Sequence, residues 1–359
     1  MEAQATITPM PQAFALSEGE AYEEASLSGV DVAGQQGADV SFRACVLERA
    51  IFEGAHLCDV HIAACLLTGA SFAKADLEGA IFEATALREV SFEGAILRGA
   101  TFIGCDLSES VFTGAVLTGC TFEGCTLAHA TLDGCDMSDS VLDESALIGA
   151  TLADATLTNA SLQGAILIEA TLARADLTGA NLHTAVLSEA DLTGAIFNEA
   201  RLSQAVLEEV RAADASFQKA KLSSAFFRRA DLSRCDFTGA VLPTASFERA
   251  RMEGTKLVRV EGEGVSFAFA NLQQALLHEA ALPLASFLGA DLARGQAIGA
   301  DFYGADFEWA HVEAFDHRDC EMAHARMPST QRPAYGPSAQ PPPVNPQSLA
   351  RAPGATDAN

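Results

Sequence analysis

The sequence predicts an all-β solenoid whose chain turns by about 90° every five residues. Three observations lead there. Between Leu27 and Met327, 61 positions carry a number ending in 2 or 7, and 56 of them hold Leu, Phe, Ile, Val or Met. The exceptions are Gly37, Ala212, Gly262, Ala297 and His317. Two residues earlier, from Ala25 to Ala325, Ala fills 38 of 61 positions and Cys eight more. No insertion or deletion breaks this register across the whole span. A period of five matches neither the helical 3.6 nor the strand 2.0, and a helix would scatter these residues over all its sides.

Composition agrees. Hydrophobic residues reach 49% but aromatic ones only 7%, with one Trp and three Tyr. A core made of many small contacts is what stacked repeats build. The formal net charge of −26 argues against direct binding to nucleic acid or an anionic membrane. No apolar run is long enough for a transmembrane helix, and Met1 to Glu24 lacks a basic-then-apolar leader. A cytoplasmic location is therefore expected, with secretion by a non-classical route left open.

Taken in order, three segments are expected. Residues 1–24, with Pro9, Pro11, Glu18, Glu20, Glu23 and Glu24, read as an N-terminal arm or cap over an open sheet edge. Residues 25–327 read as the solenoid. Residues 328–359 hold eight of the twelve Pro, including Pro341-Pro342-Pro343, and read as a disordered, Pro-rich tail. A homodimer through one solenoid end is an expected mode of assembly.

Clear copies of the repeat are Ala75-Asp76-Leu77, Ala175-Asp176-Leu177-Thr178-Gly179, Ala180-Asn181-Leu182, Ala190-Asp191-Leu192, Ala230-Asp231-Leu232, Ala270-Asn271-Leu272, Ala290-Asp291-Leu292 and Ala300-Asp301-Phe302. The sequence resembles the pentapeptide-repeat family, whose motif is A(D/N)LXX. The resemblance implies a right-handed quadrilateral β-helix with four pentapeptides per coil, the large central residue and the small residue two before it pointing inward. Residue n then lies beside n+20, coils sit at the ordinary strand spacing of about 4.8 Å, and about fifteen coils are expected. The interior is filled, so the resemblance implies no buried pocket, no cofactor, no metal and no catalytic residue.

Read every twenty residues, the centre sorts by face. Phe52, Phe72, Phe92 and Phe112 stand on one face, and Phe227, Phe247, Phe267, Phe287 and Phe307 on another; of 21 Phe, 17 occupy central positions. From Leu127 to Leu192 all fourteen central residues are Leu except Met137. Stacked aromatics of this kind gain contact beyond plain burial, so these Phe are the expected structural core. Eight of nine Cys occupy the small inward position and only Cys58 faces out, which favours buried thiols replacing Ala over a disulfide framework. His311, His317, Cys320 and His324 have zinc-ligating types, but they fall where the repeat degenerates and match no closed spacing.

The surface is where function is sought. Residues 101–200 carry fourteen acidic side chains and one basic, Arg174; residues 201–260 carry eleven Lys and Arg against seven acids. One outward corner reads Glu169, Glu189, Glu209, Arg229, Arg249, Phe269, Gly289, Trp309 at intervals of twenty, with Arg228 and Arg251 alongside. Arg and Trp dominate interface energetics, so Glu189, Glu209, Arg228, Arg229, Arg249, Arg251, Phe269 and Trp309 form a candidate partner-binding strip. Three readings follow: a non-catalytic scaffold that presents an acidic rod to a protein partner; a DNA mimic, since the resemblance extends to members that inhibit DNA gyrase and protect it from quinolones; and a type VI secretion accessory protein, by fold-level analogy with Phe-rich solenoid tails.

Overall fold

The computed structural model describes residues 14–328. Residues 1–13 of the expected arm and residues 329–359 of the expected tail lie outside the described residues. No α-helix occurs among the described residues, and none therefore is long and apolar enough to cross a membrane.

Six three-residue strands, β1 Ala21–Glu23, β2 Ser41–Arg43, β3 His61–Ala63, β4 Ile81–Glu83, β5 Thr101–Ile103 and β6 Thr121–Glu123, form one parallel sheet in sequence order. Each pairs with the next at a register of twenty residues, as in Phe42↔Ile62 and Phe82↔Phe102. The ladder thus opens at Ala21, inside the segment read as an arm or cap, because Tyr22 takes the central position and stacks on Phe42 (ring centroids 5.1 Å apart). Continuous strand pairing covers these six rungs, about five turns of twenty residues, where about fifteen coils were expected. Elsewhere the twenty-residue register persists as isolated parallel bridges, through to Asp306↔Arg326.

The corners explain the difference. At most of them a type II β-turn closes the face: Ala50 N–H donates to Leu47 O (3.0 Å) and Ala175 N–H to Leu172 O (3.0 Å), with the residue before the Ala at positive φ, 56° at Arg49 and 60° at Arg174. Such a turn uses four of the five residues and leaves one to bridge. On the face of β1–β6 that turn bond is missing and three residues stay extended. From Val141 onward this face also turns, Ser145 N–H donating to Leu142 O (3.1 Å), and the strands end.

Backbone amides are satisfied between coils. Leu47 N–H donates up to Leu66 O (2.7 Å), and Ile51 N–H down to Val30 O (2.8 Å). The centre is solid. Phe52, Phe72, Phe92, Phe112, Phe227, Phe247, Phe267 and Phe287 are 0% exposed and Phe307 1%. Phe52 and Phe72 stack at 4.5 Å and 3°, Phe227 and Phe247 at 5.0 Å and 8°. The sequence reading named one ladder in each half; the structure holds two. Phe82–Phe102–Phe122 (4.8 and 4.9 Å) and Phe197–Phe217–Phe237 (4.9 and 4.8 Å) are sister stacks. They meet the first ladders edge-on, as in Phe82–Phe92 at 5.8 Å and 87°.

Gly37, an exception in the central register, makes room for the N-terminal end. A Cβ there would fall 2.9 Å from Leu16 Cδ1, so Leu16 fills the centre of the first coil. Leu16 N–H donates to Gln35 Oε1 (2.8 Å), and Gln35 Nε2 donates to Phe14 O (3.2 Å). At the other end Val312, Phe315, Cys320 and Met322 are only partly buried, having no coil beyond them among the described residues.

Candidate interaction surface

Six of the eight strip residues occupy the left-handed position of a β-turn, Glu189 (φ 62°), Glu209 (58°), Arg229 (58°), Arg249 (59°), Phe269 (58°) and Trp309 (60°); Arg228 and Arg251 flank it. Of 62 positive-φ corners, 23 are Gly and 39 are not. Side chains at the rest are displayed at a backbone cost, of order 1–2 kcal/mol each in the left-handed region. The turn projects them outward, and successive ones are one coil apart.

The strip is joined along its length. Arg229 Nη1 donates to Glu209 Oε1 (3.0 Å). Arg249 leans over the Phe269 ring (6.0 Å to the centroid), and its Nε lies 3.6 Å from Glu248 Oε1. The Phe269 ring then covers Gly289: a Cβ there would lie 2.7 Å from the ring, and φ is +63°, so two independent reasons require Gly. Phe269 is 41% exposed, while Trp309 is half-buried. Arg251 pairs with Asp231 (3.3 Å); Arg228 is exposed and has no carboxylate within 4.0 Å among the described residues.

The basic zone is thereby corrected. Sequence reading treated residues 201–260 as a positive field. In the structure most of these cations lie against a carboxylate of the preceding coil: Arg211–Asp191 (3.2 Å), Lys219–Glu199 (3.2 Å), Arg229–Glu209 (3.0 Å), Arg234–Asp214 (2.6 Å), Arg251–Asp231 (3.3 Å) and Lys256–Asp236 (3.3 Å). The twenty-residue register stacks opposite charges, which stabilises a ladder where like charges would repel. Two of these partners, Asp191 and Glu199, stand one coil back outside residues 201–260, and the other four lie within that segment.

The acidic zone differs. Its single basic residue, Arg174, donates Nε and Nη2 to Asp154 (2.7 and 2.6 Å), and the guanidinium holds the Asp154 carboxyl below its ordinary range. Of the fourteen acids in residues 101–200, Glu109, Asp154, Asp191 and Glu199 have an ion-pair partner, which leaves ten without a cation within 4.0 Å among the described residues. Asp136 is held low by the Ser138 hydroxyl.

The thiols are structural. Cys120, Cys135 and Cys235 each donate S–H to a carbonyl of the coil below, Leu97, Phe112 and Ala212, at 2.8 Å. Burial pushes Cys65 up to about 11 and Cys120 and Cys135 up to about 12. Cys320, read as inward, is only half-buried, like Cys58. On the strand face the small inward column runs Cys45, Cys65, Thr85, Cys105, Cys125. There the corner bond is missing, and Cys45 N–H donates to Cys65 Sγ (3.3 Å) and Cys65 N–H to Thr85 Oγ1 (3.5 Å). The terminal histidines do not converge: His311 Nδ1 sits 3.0 Å from Asp291, His317 stacks on Phe315 and His324 meets Tyr303 edge-on. Among the described residues no three metal-ligating side chains gather in one place.

Three repeat-family profiles match the chain: "pentapeptide repeat region" over residues 37–112 and 180–257, "pentapeptide repeats (9 copies)" over 97–165, and "pentapeptide repeats (8 copies)" over 245–282 and 270–308. No curated protein matches the sequence significantly. Among solved structures, full-length QnrB1, a plasmid-mediated fluoroquinolone resistance protein, is 21% identical over 45% of this chain and 86% of its own, at a TM-score of 0.36. HetL, a pentapeptide repeat protein involved in heterocyst differentiation regulation in the cyanobacterium Nostoc sp. strain PCC 7120, is 24% identical over 76% of this chain and 92% of its own, at 0.24. A pentapeptide repeat protein of the Arabidopsis thaliana thylakoid lumen is 31% identical over 27% of this chain and 64% of its own, at 0.11.

Proposed function

The chain belongs to the pentapeptide-repeat family, and from that premise we propose that it is a non-catalytic scaffold whose acidic band, residues 101–200, docks a protein partner bearing a basic surface. The observation that carries this reading is the un-neutralised band itself. Over residues 201–260 the solenoid sets cations against the carboxylates of the preceding coil; in this band ten of fourteen carboxylates stand without one among the described residues. Five coils at about 4.8 Å make a band about 24 Å deep. A field of one sign on that scale steers a basic partner and sets its orientation. Centres filled by Phe and Leu support a role played on the outer surface, since a reaction pocket needs concavity. The strip beside the band supplies apolar anchors in Phe269 and Trp309, and anchors of that type govern residence time.

The same charge excess supports a second reading, mimicry of a DNA duplex. One experiment separates the two. The full chain and a variant with Asp133, Asp139 and Asp143 changed to Asn are used to capture partners from the native host at low and high salt, and both are added to a gyrase supercoiling assay. A scaffold of the proposed kind holds a partner at low salt that the variant releases, and leaves supercoiling unchanged. Inhibition of supercoiling by the full chain, lost in the variant, moves the reading to mimicry. A partner held equally by both proteins at either salt sinks the acidic-band reading.

A further inference from the structure

Six Lys and Arg occupy the bridging position of a face, where each lies directly beside the residue twenty before it. Arg211, Arg251, Lys256 and Arg326 sit over Asp191, Asp231, Asp236 and Asp306, at 3.2 to 3.5 Å. The other two break the rule. Arg201 lies over Asn181, and Lys221 lies over Arg201 itself. Neither has a carboxylate within 4.0 Å among the described residues. Two like charges on adjacent rungs repel, and both side chains are exposed. In a chain of net charge −26, this pair is an uncompensated positive spot.

A shallow groove of about 260 Å³ lies at that spot, lined by Gln163, Asn181, His183, Arg201, Ser203 and Lys221. No carboxylate lines it. Its walls are two columns of the same face: Asn181, Arg201 and Lys221 on one side, Gln163, His183 and Ser203 on the other, flanking the inward Leu182 and Leu202. Along these columns the flanking acids are Asp143 at one end, already accepting from the Ser161 hydroxyl and the Gln163 amide, and Glu261 and Glu263 at the other, two or more rungs past Lys221. Asn181 Oδ1 accepts from His183 N–H (3.3 Å), which fixes the amide; its NH₂ makes one long bond to Ser161 Oγ (3.5 Å) and keeps its second hydrogen as a donor. His183 Nδ1 lies 2.9 Å from Ser203 O; a carbonyl only accepts, so Nδ1 carries a proton and donates it there, away from the groove.

We propose that this groove binds a tetrahedral oxyanion of the phosphate type. The guanidinium of Arg201 and the ammonium of Lys221 supply the charge, and the Asn181 and Gln163 amides and the Ser203 hydroxyl supply neutral donors. Donors arrive from both walls, which suits a group with three or four acceptor oxygens; a planar carboxylate with two would leave one wall unused. Charge-assisted bonds to an oxyanion are the strong class, with Arg giving a fork and Lys a point charge. The groove lies at the edge of the acidic band, which contributes Gln163, Asn181 and His183, but its charges, Arg201 and Lys221, lie past the band and its binding does not depend on the docking proposed there.

The test is isothermal titration of the full chain with inorganic phosphate at constant ionic strength. Saturable binding is expected. It should weaken at least tenfold in the Arg201→Gln/Lys221→Gln variant and in Asn181→Asp, which puts under Arg201 the carboxylate that its counterparts have. Arg211→Gln, which removes an already paired cation, should leave it unchanged. Unchanged melting temperatures keep these surface substitutions interpretable, Asn181 being half-buried. A phosphoserine peptide that binds more tightly than free phosphate assigns the group to a macromolecule, and equal binding assigns a small anion; both support the site. Absence of saturable binding, or equal binding by the double variant, overturns it. A peptide with Glu in place of phosphoserine that binds as tightly overturns the tetrahedral assignment.

Discussion

The first coils and the later ones solve the same corner in two ways. On the face of β1–β6, from Ala21 to Glu123, three residues stay extended and the corner lacks its turn bond. There Cys45, Cys65, Thr85, Cys105 and Cys125 occupy the small inward column, and the Cys65 thiol and Thr85 hydroxyl accept the Cys45 and Cys65 amides. From Val141 on, the same face closes in β-turns, the Ala165, Ala185 and Ala205 amides being satisfied by Leu162, Leu182 and Leu202. An apolar methyl suffices once the backbone satisfies itself. On the strand face a Cys or Thr at the small position offers an acceptor to an amide that the turn leaves open; at closed corners the same residue types, Cys120, Cys135, Cys235 and Thr255, have their amides bonded within the turn. Buried backbone N–H groups without a partner are costly.

Four measurements sharpen or break that contrast, beginning with the largest effect. Phe247→Ala removes a ring stacked on both sides, at 5.0 Å from Phe227 and 5.2 Å from Phe267. The expected loss is about 3–5 kcal/mol by denaturant unfolding. A loss below about 1 kcal/mol would mean that aromatic stacking contributes little in the later coils.

The corner contrast is tested by an isosteric pair. Thr85→Val removes the acceptor of the Cys65 amide and a donor to Glu83 O (2.8 Å), and should cost about 1–3 kcal/mol. Thr255 sits in a closed corner, its amide bonded to Met252 O (3.2 Å) and its hydroxyl donating to Leu232 O (2.9 Å). Thr255→Val should cost only about 0.5–1.5 kcal/mol, one ordinary hydrogen bond. Equal costs would break the account of the open corner.

Titration gives the third measurement. Burial raises Cys65 from 9.0 to about 11. Above pH 9 the unfolded chain loses this proton while the folded chain keeps it, so the folded state binds more protons and stability falls as pH rises from 9 to about 11. The stability advantage of the parent over Cys65→Ala should shrink there by about 1 kcal/mol per pH unit. Native thiol counting should find two reactive residues, Cys58 and the half-buried Cys320; four or more would contradict the buried column.

The smallest effect is expected on the surface. Arg229→Glu with Arg249→Glu loses the bond to Glu209 and the contact over Phe269, yet exposed pairs contribute at most about 1 kcal/mol. Stability should hardly move, while partner capture weakens. Capture at full strength would remove the strip from the docking surface and leave the acidic band alone.

By itself the sequence determined the repeat, its unbroken register, which residues face inward and the filled Phe and Leu centre. The repeat and its register are read from the five-residue period; the inward positions and the filled centre follow from the fold that the family resemblance implies. The second Phe ladders are legible too, since Phe82, Phe102 and Phe122 recur at twenty. Tertiary structure alone decided the rest. Whether a corner closes is set by one hydrogen bond, and Thr85 and Thr255 carry the same side chain in corners of opposite kind. Whether a charge is free depends on its neighbour twenty residues away. Arg201 and Arg211 look alike in the chain, but one rests on Asn181 and the other on Asp191, and only the stacking of coils turns that difference into a positive groove.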